Sequence, residues 1–178
     1  SNMQKQATPV IVPEAPLVAT GVEARAAKDT GRLIVAKEAG TISHIDGKVI
    51  KVKNEKGKEI AYPLINFVRT NGFTALHQRP AEGISVGQKV KKGDLLADTS
   101  TSDNGQLALG QNALVAFMTW SGANYEDAII ISERLVKDSK FSSIHIEEFV
   151  CNVRDTKLGP EETTHDIPNV SEVKLRNL

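Results

Sequence analysis

Two adjacent carboxylates, Glu126 and Asp127, are the residues best placed to do chemistry in this sequence. They follow a Gly-Ala turn and open an apolar stretch whose spacing predicts a helix beginning at Asn124. Acidic side chains in the first turn of a helix commonly stabilise the positive end of its dipole. They can also present the hard oxygen ligands that Mg²⁺ prefers. The residues alone leave both interpretations open.

These two acids could fill only part of a metal site. Neighbouring residues on a helix point about 100° apart, so both side chains would not converge on one ion. Mg²⁺ keeps several waters and usually takes one or two protein carboxylates beside substrate phosphates. The sequence offers no second acidic cluster near the end of an apolar strand. We therefore expect a complete Mg²⁺ site to need carboxylates from elsewhere.

The elements that would hold these acids begin with an extended segment and a β-meander. Three prolines in residues 1–20 exclude a helix there and favour extended geometry in the residues before them. Apolar residues are spaced among polar ones over 32–62, with turn signals at Asp46-Gly47 and over 54–57. Five lysines lie on this meander. They are typical of the solvated face and edges of a small sheet, and contact with phosphates is the alternative.

Residues 83–97 resemble the hammerhead of biotinyl and lipoyl carrier domains, in which short strands turn sharply at glycines. Those domains carry their cofactor on a lysine in a hairpin. The corresponding stretch here, the polar loop 98–105, contains no lysine. We therefore expect a barrel-sandwich shape without the prosthetic group, because a fold does not carry its usual function with it.

Three further elements are predicted after this loop. A nearly continuous apolar run predicts a buried strand over 113–120. Asn124 is a good N-cap for the helix, with Asp127 three positions later in an arrangement like a capping box. A second strand is expected over 144–153.

Composition excludes several classes of protein. A lone Cys151 cannot make an intrachain disulfide, and the apolar runs fall short of the roughly 18 residues that span a bilayer. The net charge is zero, but residues 1–100 hold 15 Lys and Arg against 10 Asp and Glu, whereas residues 101–178 hold 7 against 12. This distribution indicates a polarised module rather than a strongly basic DNA-binding protein. We expect a soluble, cytoplasmic protein.

Longer stretches of the sequence resemble one protein family. The segment Phe117–Asp127, which ends in the acidic pair, closely resembles part of the β subunit of bacterial multisubunit RNA polymerase. Ser1–Ala7, Leu107–Asn112 and Arg154–Glu162 resemble further landmarks of that subunit, in the family's order. Ordered matches along the whole chain are far more specific than a single short motif.

The resemblance implies a site at the centre of an enzyme. In this family the matching Glu-Asp pair helps to position the second, nucleotide-borne Mg²⁺, whereas aspartates of the β′ subunit bind the catalytic ion. Glu126 and Asp127 would then be catalytic and metal-binding residues. The matches to Asn2, Lys5 and Gln6 approach the RNA 3′ end and the incoming nucleotide. Lys5 stands where the family commonly has Arg, so a bidentate contact would be lost there.

The resemblance also implies an architecture. The fold would be mainly β with a few short helices (β+α), forming part of a double-psi β-barrel plus a barrel-sandwich hybrid insertion. Residues 1–31 would be an extended segment and the start of the barrel portion, and residues 32–105 a barrel-sandwich hybrid-like β module. Residues 106–178 would supply a barrel strand, the acidic-pair helix and a strand leading toward the flap.

The implied partners are the β′ and α subunits, the rest of β, the DNA template, the RNA transcript and nucleoside triphosphates, without a membrane. Because the resemblance covers a small part of a much longer subunit, the chain alone is expected to be inactive. Two other classes stay open. One is a cofactor-carrier-like binding module, which a biotinyl or lipoyl adduct would reveal. The other is a purely structural β-domain, in which charged residues serve only surfaces and caps.

Overall fold

The computed structural model describes residues 2–176 as a chain of short strands with few helices. A 3-10 helix covers Gln4–Gln6. The other elements are α1 (Glu23–Asp29), β1 (Ile34–Val35), β2 (Gly40–Ile45), β3 (Val49–Asn54), β4 (Glu59–Pro63), β5 (Val68–Arg69), β6 (Ala75–Leu76), β7 (Gln78–Pro80), β8 (Lys89–Val90), β9 (Leu95–Thr99), β10 (Ser102–Asp103), β11 (Gln106–Leu107), α2 (Glu133–Lys137), β12 (Asp155–Thr156), β13 (Gly159–Pro160) and α3 (Glu172–Leu175). The prediction of a mainly β fold with short helices is confirmed.

The chain divides into two compact units, Ser1–Glu147 and Glu148–Leu178. The first contains the elements from the 3-10 helix to α2. The second contains the β12–β13 hairpin and α3. Among residues 2–176, none of the helices has the length and apolar composition needed to cross a lipid bilayer.

The β-meander forms where the sequence predicts it. Strands β4, β3, β2 and β8 make an antiparallel sheet in that order. Asp46 closes the β2–β3 turn, since its Oδ1 accepts the backbone N–H groups of Lys48 at 2.7 Å and Val49 at 2.6 Å. Asn54 closes the β3–β4 turn in the same way, with two backbone N–H donors on its Oδ1. Both turn residues satisfy N–H groups that the turns leave without ladder partners.

One hydrophobic core joins this sheet to a three-stranded sheet of order β1-β9-β7. Its buried members are mostly aliphatic: Ala36, Ile42, Ile50, Val52, Tyr62, Leu64, Val90, Leu96 and Ala97. The polar end of Tyr62 is satisfied, because its hydroxyl accepts the backbone N–H of Lys37 at 2.9 Å. Burial of these side chains between two sheets holds the module together.

Glycines make the sharp turns that connect the two sheets. Gly87 and Gly93 have φ of 89° and 93°, in the left-handed region that favours glycine. Strand β8 between them belongs to the meander sheet, and β9 after them belongs to the second sheet. In the stretch predicted as a polar loop, Asn104 and Gly105 form the turn of a short β10–β11 hairpin, with φ of 50° and 73°. The Asn-Gly pair is the sequence signal for that hairpin.

Gly40 begins β2 and pairs with Asn54 of β3, beside the backbone of Lys53. A Cβ on this residue would stand 2.5 Å from the carbonyl oxygen of Lys53 and 2.8 Å from Cγ1 of Val52. Because the nearest atom belongs to the backbone, the sheet itself would have to move. We expect Gly40→Ala to lower the free energy of unfolding by about 1–3 kcal/mol, measured by urea denaturation. Gly47→Ala is the control, since no atom lies within 4 Å of its Cβ; an equal loss in both variants would contradict the prediction.

The extended geometry predicted at the amino terminus is wrong for residues 4–6. Their 3-10 turn is closed by the N–H of Gln6, which donates to the carbonyl of Met3 at 3.0 Å. The chain becomes extended at Ala7, with φ −64° and ψ 131°. A proline restricts itself and the residue before it, so the first proline, Pro9, leaves the earlier residues free to turn.

Helix α1 (Glu23–Asp29) follows the segment 1–20 that is predicted to be extended, and no helix is predicted at this position. The carboxylate of Glu23 reaches back to accept the N–H groups of Thr20 at 3.0 Å and Gly21 at 2.8 Å. These hydrogen bonds lower the pKa of Glu23 to about 2, and the bond from the N–H of Thr20 is the largest cause. The Thr-x-x-Glu spacing of a capping box is the signal that identifies this helix in the sequence.

The strands predicted over 113–120 and 144–153 are wrong. Residues 113–120 form no ladder with any described strand, and Leu114 and Phe117 are fully exposed. Within 144–153 only His145 makes a β-bridge, to Thr74. A strand needs a neighbour to satisfy its N–H and C=O groups, and hydrophobicity alone does not supply one.

Candidate functional site

Glu126 and Asp127 occupy a tight turn rather than the start of a helix. The N–H of Ala128 donates to the carbonyl of Tyr125 at 3.2 Å, which places the two acids in the middle of the turn. Glu126 has φ of 55°, in a left-handed region that interrupts a right-handed helix. The helix predicted to begin at Asn124 is therefore wrong.

The hydrogen bonds of Asn124 and Ser132 explain why the helix α2 begins after Ser132 and not at Asn124. The side chain of Asn124 accepts the N–H of Trp120 at 2.9 Å and donates to the carbonyl of Met118 at 2.7 Å. It fastens the preceding turn and is not available to cap a helix. Ser132 caps α2, since its Oγ accepts the N–H of Arg134 at 3.3 Å. Asn and Ser are comparable caps, so propensity does not choose between them.

Both acidic side chains are exposed, and neither makes a hydrogen bond or ion pair with a residue that the structure describes. Because Glu126 and Asp127 lie in a turn, the angular separation of neighbouring helix residues does not apply to their carboxylates. Four unshared oxygens at one exposed turn fit the one or two protein carboxylates that Mg²⁺ takes beside phosphates. Within residues 2–176, no three His, Cys, Asp or Glu side chains cluster closely enough to hold a metal ion. The pair can thus supply part of a ligand set.

Asn2, Lys5 and Gln6 lie on or beside the 3-10 helix and are exposed. Their side chains make no hydrogen bond or ion pair with described residues, including Glu126 and Asp127. The structure therefore presents the predicted amino-terminal residues and the acidic pair as two exposed groups that are not bonded to each other. Amides and a cation on an exposed turn can bind phosphates and hydroxyls from outside the chain.

Residues 35–178 match the family described as RNA polymerase Rpb2, domain 6. The chain belongs to this family. The matched residues include Glu126 and Asp127, whereas Asn2, Lys5 and Gln6 precede them.

Relatives of the chain carry the name DNA-directed RNA polymerase subunit beta. Over all 178 residues the chain is 55% identical to the protein of Gloeobacter violaceus and 52% identical to that of Oenococcus oeni. It is also 52% identical to the protein of Caldicellulosiruptor bescii. The chain spans 16%, 15% and 14% of the lengths of these three relatives. The resemblance predicted from the sequence landmarks is confirmed.

Glu14 belongs to no motif of the sequence, and its contacts become apparent only in the fold. Its Oε1 accepts the Nζ–H of Lys140 at 2.6 Å, and its Oε2 accepts the backbone N–H of Asn112 at 3.1 Å. The pKa of this carboxyl is lowered. The hydrogen bond from Lys140 is the largest cause, and the bond from Asn112 is the second. Because its partners lie 126 and 98 positions away in the sequence, no local signal identifies the contact.

His77 and Arg79 have structural roles in this chain. His77 is buried, and its Nε2 lies 2.9 Å from the carbonyl of Ile11, which joins the amino-terminal segment to the β6–β7 region. Burial is the first cause that lowers the pKa of His77. Because a carbonyl oxygen can only accept, Nε2 donates this bond. Arg79 donates to the carbonyls of Thr99 at 2.7 Å and Ser102 at 2.9 Å.

Proposed function

We propose that this chain contributes to DNA-templated RNA synthesis as a segment of an RNA polymerase β subunit, in which Glu126 and Asp127 help to position the nucleotide-bound Mg²⁺. The observation that carries the proposal is a pair of exposed carboxylates, without partners among described residues, on a turn inside the family-matched region. Acids that hold no part of the described fold are free to bind a ligand. The names of relatives that are 51–55% identical support the same role.

Glu126 and Asp127 would supply part of the oxygen ligands of Mg²⁺, and partner molecules would supply the others. Bound Mg²⁺ neutralises charge on the triphosphate during nucleotidyl transfer. The carboxylates of Glu126 and Asp127 would hold the ion from one side, while phosphates and acids of the β′ subunit complete its ligands. Asn2, Lys5 and Gln6 would contact the RNA 3′ end and the incoming nucleotide through amides and a cation.

The proposal extends to architecture, partners and compartment. The two sheets around one core support a barrel-sandwich hybrid module over 32–105. Residues 1–31 and 106–178 would belong to a double-psi β-barrel that other parts of β complete. The β′ and α subunits, the DNA template, the RNA transcript and nucleoside triphosphates would be the partners. The cytoplasm is the proposed compartment, because DNA-templated synthesis in a bacterium takes place there.

The described residues 2–176 show no attachment site of the kind that a carrier domain needs. The stretch that corresponds to the cofactor-bearing hairpin has no lysine over 98–105. Asp98 at its start is buried, and its Oδ1 accepts the hydroxyl of Ser102 at 2.8 Å and the N–H of Gly105 at 3.0 Å. This hairpin is fastened to the module by its own polar residues.

The metal role is tested by titrating Mg²⁺. RNA polymerase reconstituted with a β subunit that carries Glu126→Ala and Asp127→Ala should add a single nucleotide slowly. Higher Mg²⁺ should partly restore the rate, because mass action offsets a weakened site. The measurement is the rate of single-nucleotide addition at each Mg²⁺ concentration.

The control for this titration is Glu147→Ala with Glu148→Ala, which removes another adjacent pair of exposed acids. We expect this variant to follow the unmodified enzyme at every Mg²⁺ concentration. If the Glu126 and Asp127 variant does the same, these acids have no role on the metal, and the chain serves as a scaffold.

A further inference from the structure

The acidic pair lies in a long loop that is bonded to the rest of its unit only at its base. We call residues 113–139 the acidic loop. Every hydrogen bond that this loop makes with described residues stays within 113–142. Several of its apolar side chains, including Leu114, Phe117 and Ile129, are exposed rather than packed on the sheets. The position of the acidic loop is therefore decided where it leaves and rejoins the unit.

One carboxylate binds both ends of this loop. Asn112 immediately precedes the acidic loop, and Lys140 immediately follows it. Oε2 of Glu14 accepts the backbone N–H of Asn112, whereas Oε1 accepts Nζ–H of Lys140 at 2.6 Å. The carboxylate of Glu14 is two-thirds shielded from solvent, with 33% exposure of its side chain. A single side chain thus holds the two ends of the loop together.

The amino-terminal segment is fastened at the same place. The N–H of Ile11 donates to the carbonyl of Ser142 at 2.9 Å, and the N–H of Glu14 donates to Gly110 at 2.9 Å. The side chain of Asn112 also donates to the carbonyl of Ala15 at 2.9 Å. This segment leads directly back to the exposed amino-terminal residues. Both groups of candidate site residues therefore extend from one junction.

We propose that Glu14 is a positioning residue for nucleotide addition, whose carboxylate fixes the two ends of the acidic loop relative to each other at their junction with the amino-terminal segment. This inference rests on the proposed function of Glu126 and Asp127. The backbone bonds of the junction keep the segment in place without the carboxylate, whereas the contact that spans both ends of the loop depends on it. A displacement of about 1 Å at reacting groups can cost about 100-fold in rate.

The test uses reconstituted RNA polymerase with Glu14→Gln in the β subunit. Glutamine keeps the shape and one acceptor, so the chain should fold, but it removes the charge that binds Lys140. We expect kcat for single-nucleotide addition to fall by about 10- to 100-fold, with a smaller change in the KM for the nucleotide. Rates are normalised to the fraction of complexes that extend RNA. Lys140→Gln removes the same ion pair from the other side and should have a similar effect.

Glu59→Gln is the matched control. Glu59 pairs with Lys51 at 3.5 Å, and the side-chain exposures of that pair, 48% and 39%, are close to those of Glu14 and Lys140, 33% and 42%. It lies on the meander, away from the junction. We expect its kcat to equal that of the unmodified enzyme.

A double variant shows whether Glu14 acts through the acidic pair. In an Asp127→Ala enzyme, Glu14→Gln should cause little further slowing, because the group that it positions is already absent. If Asp127→Ala slows addition but Glu14→Gln behaves like Glu59→Gln, the inference fails and the proposed function stands. If Glu14→Gln lowers only the number of active complexes, its role is structural and the inference fails. A normal rate with Asp127→Ala would refute the proposed function, and the inference with it.

Discussion

Asp127→Ala should slow nucleotide addition by about 100-fold while leaving the folded chain as stable as before. The expected loss is that of a group which stabilises developing charge at a reacting centre. Stability should change by less than about 0.5 kcal/mol, because Asp127 is exposed and makes no bond with a described residue. The measurements are single-nucleotide addition by the reconstituted polymerase and thermal unfolding of the 178-residue chain.

Asp127→Asn separates charge from shape in the same assay. Asparagine keeps the size of the side chain but loses the negative charge that a cation needs, so its activity should fall with that of the alanine variant. The opposite pattern, a large drop in the melting temperature with normal turnover, would show that Asp127 serves the fold and would contradict the prediction.

Leu96→Ala should lower the free energy of unfolding by about 2–5 kcal/mol, the largest stability effect that we expect. Leu96 is fully buried in β9, the central strand of the second sheet, and belongs to the core shared with the meander sheet. Its removal would leave a cavity between two sheets whose backbones are fixed by hydrogen bonds. Urea denaturation of the chain measures the loss.

Leu114→Ala is the control for the core, because it makes the same chemical change at a side chain that is 104% exposed in this chain. Its free energy of unfolding should stay within about 0.5 kcal/mol of the unmodified value. Equal losses of unfolding free energy in the two leucine variants would show that Leu96 is not part of the core.

The meander could be predicted from the sequence because its signals are local. Asp46 and Asn54 each bond to backbone groups within four positions, and strands β2, β3 and β4 pair with their neighbours along the chain. The strand predicted over 113–120 rests instead on hydrophobicity, which is a weaker signal. An apolar run shows that a segment needs to be covered, but it does not identify a neighbouring strand.

The side chains of the candidate site could be proposed from the sequence, but their backbone conformation could not. The types of Glu126 and Asp127 suffice to propose oxygen ligands, and their role on Mg²⁺ stays a prediction. Their conformation depends on Asn124, whose side chain bonds to Trp120 and Met118 rather than to a helix. Several conformations offer partners to an asparagine, and the local sequence does not show which of them forms.

The contact of Glu14 with both ends of the acidic loop could not be predicted from one sequence. Acidic residues near prolines are common, and nothing in the local pattern relates Glu14 to Asn112 or Lys140. The contact exists because β-strands between these residues bring distant parts of the chain together. Such contacts become visible only when the path of the chain is known.

The pairing of β1 with β9 has a consequence for the order of folding. Strands β2 to β4 can form as successive hairpins, which close within microseconds. Strand β1 pairs Ile34 with Ala97, so its closure must wait until the whole intervening chain exists and must overcome a larger loop entropy. During synthesis on the ribosome the meander is complete before Leu96 emerges. Until then the apolar face that carries Ile42 and Val52 stays uncovered on the nascent chain.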